Sequence, residues 1–293
     1  MFDKILAVIM SIVAFIAGLF GLESKITTYE YRDIAYGTHE RQTLDLNIPK
    51  ENDGEIGLVL YIHGGAWIAG DKDGYEKAIE NTASDYGYAA ASINYRYIDD
   101  NTSIHDELDD IEGALAKIKE LGEEKGVSIN KVLLTGDSAG GHLSLLYAYS
   151  RVKSAPIMPV AVVSNSGPTD LYDDNFYHNN AIGDEETISQ LFSYACGQKF
   201  SYSEKILAIY SLYQISPISY INKNTVPTVI NHGMQDSIVP YSNAEKLDTL
   251  LSLYGVPHVL NSYPNSDHDL GNDKENKALA QKLFIEYCEN YLN

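Results

Sequence analysis

Gly136-Asp137-Ser138-Ala139-Gly140-Gly141 decides how this chain is read. It has the form Gly-x-Ser-x-Gly, the signature of a sharp strand-to-helix turn that lifts a serine out of the backbone over the end of a sheet. A serine hydroxyl is a weak nucleophile unless a base takes its proton and donors stabilise the oxyanion formed. The turn strains the backbone at the Ser and needs flanking residues without a Cβ. The pattern alone is common in loops, so its surroundings decide.

Just before it, Lys131-Val132-Leu133-Leu134-Thr135 is a short apolar run that reads as a buried strand. Just after it, residues 142–149 read as a buried helix. Strand, turn and helix therefore follow in the required order.

The chain has 293 residues and 44% hydrophobic content, enough to fill a large core. Lys and Arg total 21 against 41 Asp and Glu, a net charge of −20. So acidic a surface repels phosphate backbones, which argues against a nucleic-acid partner. Two cysteines, Cys196 and Cys288, give no disulfide framework and no metal-ligand pattern, and a single bridge between them stays open.

Residues 5–22 carry no charge. As a helix they would span roughly 27 Å, close to a bilayer core. Lys4 is offset by Asp3, and no Ala-x-Ala site precedes Leu22. We read residues 1–24 as an uncleaved anchor or an imperfect signal peptide, which puts the remainder outside the cytoplasmic membrane, secreted or attached through residues 5–22. The alternative is a buried N-terminal helix of the fold.

Residues 27–32 and 44–48 alternate apolar and polar, as edge or antiparallel strands do. Residues 57–62 form a continuous apolar run, as in a central parallel strand, ending in His63-Gly64-Gly65-Ala66-Trp67. Tyr75, Ala78, Ile79, Ala83 and Tyr86 mark a helix stopped by Gly87. Residues 88–94 are the next strand. Ile104, Leu108, Ile111, Leu115 and Ile118 stripe a second helix, with a capping box at Ser103 and Asp106 and a C-cap expected at Gly122. Residues 159–164, 227–231 and 259–263 are further strands. Helical stripes run from Ala244 to Tyr254 and from Leu279 to Tyr291. Strands alternating with helices imply a mostly parallel sheet covered on both faces, an α/β fold. Ligands bind such sheets beyond the carboxyl ends of the strands, where both glycine motifs fall. Residues 169–220 break the alternation and read as a cap insertion within one catalytic domain, residues 25–293.

Eight histidines compete for the role of base. His268 follows the last strand in a polar loop. His258 begins that strand at the wrong end, His232 precedes the best carboxylate, and His142 lies in the elbow helix, where packing or capping suits it better. Asp236, after the preceding strand, is the candidate acid. The order Ser138, Asp236, His268 is the one expected for a fold with this turn. Asp267 and Asp269 read as solvated or local turn residues, and Asp137 as a hydrogen-bonding residue of the elbow. The N–H groups of Ala139 and the residue 63–66 loop are the candidate oxyanion donors.

On these residues, with His232-Gly233 and Ser216-Pro217-Ile218, the chain resembles the α/β-hydrolase superfamily over about residues 27–293. Within it, the resemblance is to hormone-sensitive-lipase-like or feruloyl/acetyl-esterase-like carboxylesterases. It implies Ser138 as nucleophile, His268 as base, Asp236 as acid and an oxyanion hole of Gly65, Ala66 and Ala139. It implies a serine esterase acting through an acyl-enzyme on short-chain or carbohydrate-linked esters, with no metal and no organic cofactor. Ala66 replaces the third glycine of the usual His-Gly-Gly-Gly, and N–H donation survives this where φ is negative. Tyr172, Phe176, Tyr177, Phe192 and Tyr194 either stack on substrate or form the cap's own small core. An amide hydrolase of formamidase or peptidase type stays open, as does a membrane-tethered binding protein on a hydrolase fold.

Overall fold

A strand apolar on both faces, such as residues 58–62, has to be covered on both. The computed structural model describes residues 25–177, 181–201 and 204–293. The apolar run 5–22, and with it the anchor or signal peptide, lies outside them. Among the described residues no helix is long and apolar enough to cross a membrane.

The strands are β1 (Thr28–Ala35), β2 (Thr43–Pro49), β3 (Leu58–Ile62), β4 (Ala89–Asn94), β5 (Lys131–Asp137), β6 (Met158–Asn165), β7 (Thr228–Gly233) and β8 (His258–Tyr263). They form one sheet in the order β1-β2-β4-β3-β5-β6-β7-β8, in which only β2 runs against the others. This is the α/β-hydrolase arrangement. The order reverses between β3 and β5, so their carboxyl ends face a crevice. Ile62 pairs with Gly136, which levels the two glycine motifs.

The helices are α1 (Glu76–Tyr86), α2 (Ile104–Glu124), α3 (Ala139–Ser150), α4 (Glu185–Cys196), α5 (Lys205–Gln214), α6 (Ser242–Leu253) and α7 (Lys274–Tyr291). Alternation along the strands divides the core. Leu58, Leu60, Ile62, Val132 and Leu134 pack with α2, α3 and α6. Val59, Tyr61, Leu133, Val163 and Val229 face the other way, against Ile79 and Ala83 of α1 and Leu283 and Tyr287 of α7.

The alternation of residues 44–48 is that of an antiparallel strand, since β2 runs against both neighbours and β1 takes the edge. Asp45 is buried and pairs with Lys72 at 3.0 Å, and buried Asn47 accepts from Arg32 at 2.7 Å. One expectation needs correction: Gly122 is not the cap of α2. The capping box at Ser103 and Asp106 is present, but α2 runs past Gly122 to Glu124, and the left-handed residue is Gly126, at φ 75°. Gly122 serves contact instead, since a Cβ there would stand 2.9 Å from Ile129 Cδ1.

The cap holds α4 and α5, with a 3₁₀ turn (Pro217–Tyr220) leading back to β7. Phe176 and Phe192 are buried, with ring centroids 5.8 Å apart, so they form the cap's own core. Tyr172 pairs with Tyr213, also at 5.8 Å, and the Tyr194 hydroxyl accepts from Gln190. The Tyr177 side chain lies outside what the structure describes. Cys196 and Cys288 are both buried free thiols, and burial pushes each up to about 12.

A Cβ added at Gly140 would collide with the carbonyl oxygen of Ile62, and one at Gly136 would meet the same oxygen. Backbone cannot yield as a flexible side chain does. We expect Gly140→Ala to cost about 1–3 kcal/mol, the usual range for overpacking. Denaturant unfolding checks this, and wild-type stability would show that the elbow has room to spare.

Candidate active site

The elbow exists because β3 and β5 end side by side with glycine at each contact. Ser138 sits at φ 53°, ψ −119°, and α3 begins at the next residue. Such a φ is unusual for a residue with a side chain and marks strain held by the surrounding structure. The holding bonds run from Ser138 N–H to Asn165 O at 2.8 Å and from His142 N–H to Ser138 O at 3.0 Å. Gly64 is needed as well, since a Cβ there would stand 2.7 Å from Asp137 O and 3.3 Å from Ser138 Cβ.

Asp236 and His268 meet directly. His268 Nδ1–H donates to Asp236 Oδ2 at 2.8 Å, which leaves Nε2 free to take a proton. The other carboxylate oxygen accepts the N–H groups of Ile238 and Val239 at 2.9 and 2.8 Å. His232 Nε2 lies 3.2 Å from Asp236 Oδ2 and 2.9 Å from Val239 O; with two acceptors facing it, this nitrogen carries the hydrogen. Burial alone would raise the Asp236 carboxyl. The hydrogen bonds from His232 and His268 outweigh it and hold the group well below the usual carboxylate range. Asp236 is therefore ionised at neutral pH.

Ser138 is joined to this pair through backbone. Ser166 N–H donates to Asn231 O at 2.8 Å, and Ser166 Oγ–H to His268 O at 3.0 Å. Asp137 is an elbow residue, as its position suggested, accepting from Asn165 Nδ2 and Tyr75 Oη. Asp269 stays local, on Gly271 N–H. Asp267 does more than the sequence suggested. It does not reach the His268 ring, but it accepts Ser237 N–H at 2.8 Å and so ties the loop of His268 to the loop of Asp236.

Gly65 lies at φ 123°, and a Cβ there would strike Ala69 O. Ala66 departs from the sequence expectation. Its φ is +51°, and Trp67 follows at +64°. Two successive left-handed residues with side chains cost roughly 1–2 kcal/mol each. The loop is held against that cost. Ile68 and Ala69 N–H both donate to Gly65 O, Ile98 N–H donates to Trp67 O, and the buried Trp67 indole donates to His142 Nδ1 at 3.2 Å. Among the described residues, no acceptor takes the N–H of Gly65, Ala66 or Ala139. These are the three donors the sequence nominated, and Ala139 adds the positive end of α3.

Sequence reasoning missed the support beneath this loop. His63 stacks on Tyr95, with centroids 4.3 Å apart, and its Nδ1–H donates to Gly64 O at 2.8 Å. Arg41 donates to Tyr95 O, Gly70 O and Asn94 Oδ1 while lying over the Tyr97 ring. An isolated Arg in a polar turn carried no signal for this. His142 also ties down the cap, since its Nε2–H donates to Ile215 O at 2.7 Å. Burial lowers both His63 and His142 to about 4. A cap cavity of about 680 Å³, lined by Asp100, Glu185, Glu186, Tyr194, Lys199 and Phe200, touches none of Ser138, Asp236 and His268.

The BD-FAE family model matches residues 44–251, more than half of the chain. The chain is 27% identical over 264 residues to the probable carboxylic ester hydrolase LipM of Mycobacterium tuberculosis, covering 86% of this chain and 60% of that protein. It is 26% identical over 249 residues to the isoprenylcysteine alpha-carbonyl methylesterase ICME of Arabidopsis thaliana, covering 81% and 56%. The chain thus spans little more than half the length of these relatives. Among solved structures, a truncated carbohydrate esterase from gut microbiota superposes with a TM-score of 0.74 at 22% identity, over 92% of this chain and 99% of that one. Esterase B from Lactobacillus rhamnosis gives 0.69 at 18% identity, over 97% and 94%. At these identities the structures show a shared fold.

The two buried imidazoles make a pH prediction. Unfolded, each takes a proton near the ordinary value of 6.5; folded, each resists until about 4. Below 6.5 the unfolded state binds more protons, so stability falls as pH drops from 6.5 towards 4. By pH 5 the loss should reach about 1–2 kcal/mol for each histidine. Urea unfolding at pH 7 and pH 5 measures it, and His142→Gln should remove about half of the difference.

Proposed function

The chain belongs to the BD-FAE family, and we propose that it is a serine carboxylic-ester hydrolase with Ser138 as nucleophile, His268 as base and Asp236 as acid. The observation that carries the reading is the His268 Nδ1–Asp236 Oδ2 hydrogen bond at 2.8 Å, set beside an elbow serine at φ 53°. That bond fixes the imidazole tautomer and leaves Nε2 as the nitrogen able to take a proton.

Ser138 Oγ attacks the acyl carbon while its proton passes to His268 Nε2. The carbonyl oxygen becomes an oxyanion and takes the N–H groups of Gly65, Ala66 and Ala139. Asp236 stabilises the imidazolium. As the carbon–oxygen bond to the alcohol breaks, His268 returns the proton to the leaving oxygen. A water molecule repeats the cycle on the acyl-enzyme, His268 taking its proton, and the free acid leaves with Ser138 restored.

For substrate, we propose short acyl groups on small or carbohydrate-linked alcohols. Support comes from exposed apolar and aromatic groups: Ile68, one residue past the Trp67 that closes the donor loop, and Tyr210 and Tyr213 of α5, whose C-terminal end His142 binds through Ile215. Aromatic faces of this kind stack on sugar rings and acyl chains. The structural likeness to a carbohydrate esterase points the same way. We further propose that residues 5–22 carry the chain across or into the cytoplasmic membrane. Recovery of the full-length protein only from the cytosol of an expressing bacterium would rule this out.

Ser138→Ala should abolish turnover of p-nitrophenyl acetate with the circular dichroism spectrum unchanged. Asp236→Asn should lower kcat by about 10⁴-fold, because the imidazole loses its fixed tautomer. Ester hydrolysis by the alanine variant at the wild-type rate would end the assignment. A panel of acetyl, butyryl, octanoyl and feruloyl esters should show the highest kcat/KM on the shorter acyl groups.

A further inference from the structure

Asp137, Asn165, Asn231 and Asn261 stand opposite one another on β5, β6, β7 and β8. Their side chains form one continuous chain of hydrogen bonds. Asn276 Nδ2 of α7 donates to Asn261 Oδ1 at 2.9 Å, Asn261 Nδ2 to Asn231 Oδ1 at 2.9 Å, and Asn231 Nδ2 to Asn165 Oδ1 at 2.8 Å. Asn165 Nδ2 then donates to Asp137 Oδ1 at 2.9 Å, and Tyr75 Oη closes the series on Asp137 Oδ2. Every amide points the same way, towards a carboxylate beside Ser138. Amides in series polarise one another, so such a row is worth more than its separate bonds.

We propose that this amide ladder is a positioning device that sets the height of Ser138 against the acid and base loops. The inference deepens the Ser138–His268–Asp236 reading and rests on it. A core requirement alone does not explain the ladder. Two residues earlier on the same face stand Val163 and Val229, and aliphatic side chains would fill the rung positions without the cost of burying amides. Asn231 and Asn261 are nevertheless almost wholly buried. The backbones of the rung residues carry the site. Asn165 O accepts Ser138 N–H, and Asn231 O accepts Ser166 N–H, whose own hydroxyl holds His268 O. His232, which reaches Asp236, is the next residue after Asn231. A slip between neighbouring strands therefore moves the nucleophile relative to its base, and a misplacement of about 1 Å costs on the order of a hundredfold in rate.

The ladder residues touch no reacting atom, so their effect should appear in kcat with KM little changed. Asn165→Leu removes the donor to Asp137 and the acceptor for Asn231. We expect kcat on p-nitrophenyl acetate to fall about ten- to a hundredfold. The double exchange Asp137→Asn with Asn165→Asp keeps every bond: the amide placed at 137 donates to the carboxylate at 165, which also accepts from Asn231, and Tyr75 donates to the amide oxygen at 137. This variant should recover most of the lost kcat. Wild-type kcat in Asn165→Leu overturns the proposal. So does a double exchange with wild-type Tm whose kcat stays low. If Asn165→Leu does not fold, the double exchange decides alone by the same two readouts. Ser138→Ala, run beside them, separates the two levels: loss of turnover there with normal ladder variants sinks the ladder and leaves the triad standing.

Discussion

The carbonyl oxygen of Ile62 presses so closely on the end of β5 and the start of α3 that neither Gly136 nor Gly140 has room for a Cβ. Everything at the site follows from that contact. It brings the end of β3 against the elbow, so the donor loop that follows β3 and the serine that follows β5 share one crevice. It puts the first turn of α3 within reach of the loop, where Trp67 finds His142. Two neighbouring parallel strands would otherwise end in unrelated loops.

Part of the cost of the arrangement lies in four residues with side chains at positive φ: Ala66, Trp67, Ser138 and Ser166. Each is held by groups that are themselves hydrogen-bonded. The donor loop rests on His63, Tyr95 and Arg41, and the elbow rests on Asn165 and Asp137. His63 and His142 are useful there only as neutral rings, because each must accept on one nitrogen and donate on the other. Burial enforces that neutrality. The acid pair shows the reverse logic. Asp236 is buried yet ionised, because His232, His268 and two backbone N–H groups replace the water it lost. One pocket of protein thus keeps two imidazoles uncharged and one carboxylate charged.

Much of this could be read from the sequence, because motifs and periodicity are local. The apolar run into His63, the elbow and the stripe of α2 depend on residues a few positions apart, and Asp236 and His268 stand out because each follows a strand of its own. What escaped notice depends on register. Asn165, Asn231 and Asn261 look like ordinary strand-end asparagines one at a time, and only sheet pairing places them in a row. Arg41 and Tyr95 lie far apart in the chain and gave no periodic signal. Gly122 was misread because a helix interior also selects glycine where a neighbour such as Ile129 crowds it, and the left-handed cap came later, at Gly126. At Ala66 the sequence offered a choice of backbone conformation that only the packing of Trp67 decides.

His142 joins two parts of the chain that serve different ends. One nitrogen accepts from the donor loop and the other gives its hydrogen to Ile215, where the cap returns to the sheet. The cap is thus not a freely exchangeable module. Whatever replaced residues 169–220 would have to re-enter the core with a carbonyl at the place of Ile215. Without it, a buried N–H loses its acceptor and the imidazole is free to turn its hydrogen to the other nitrogen. The Trp67 indole would then face a donor instead of an acceptor. A change at the cap seam would be felt first in the loop after β3, whose N–H groups are the proposed oxyanion donors.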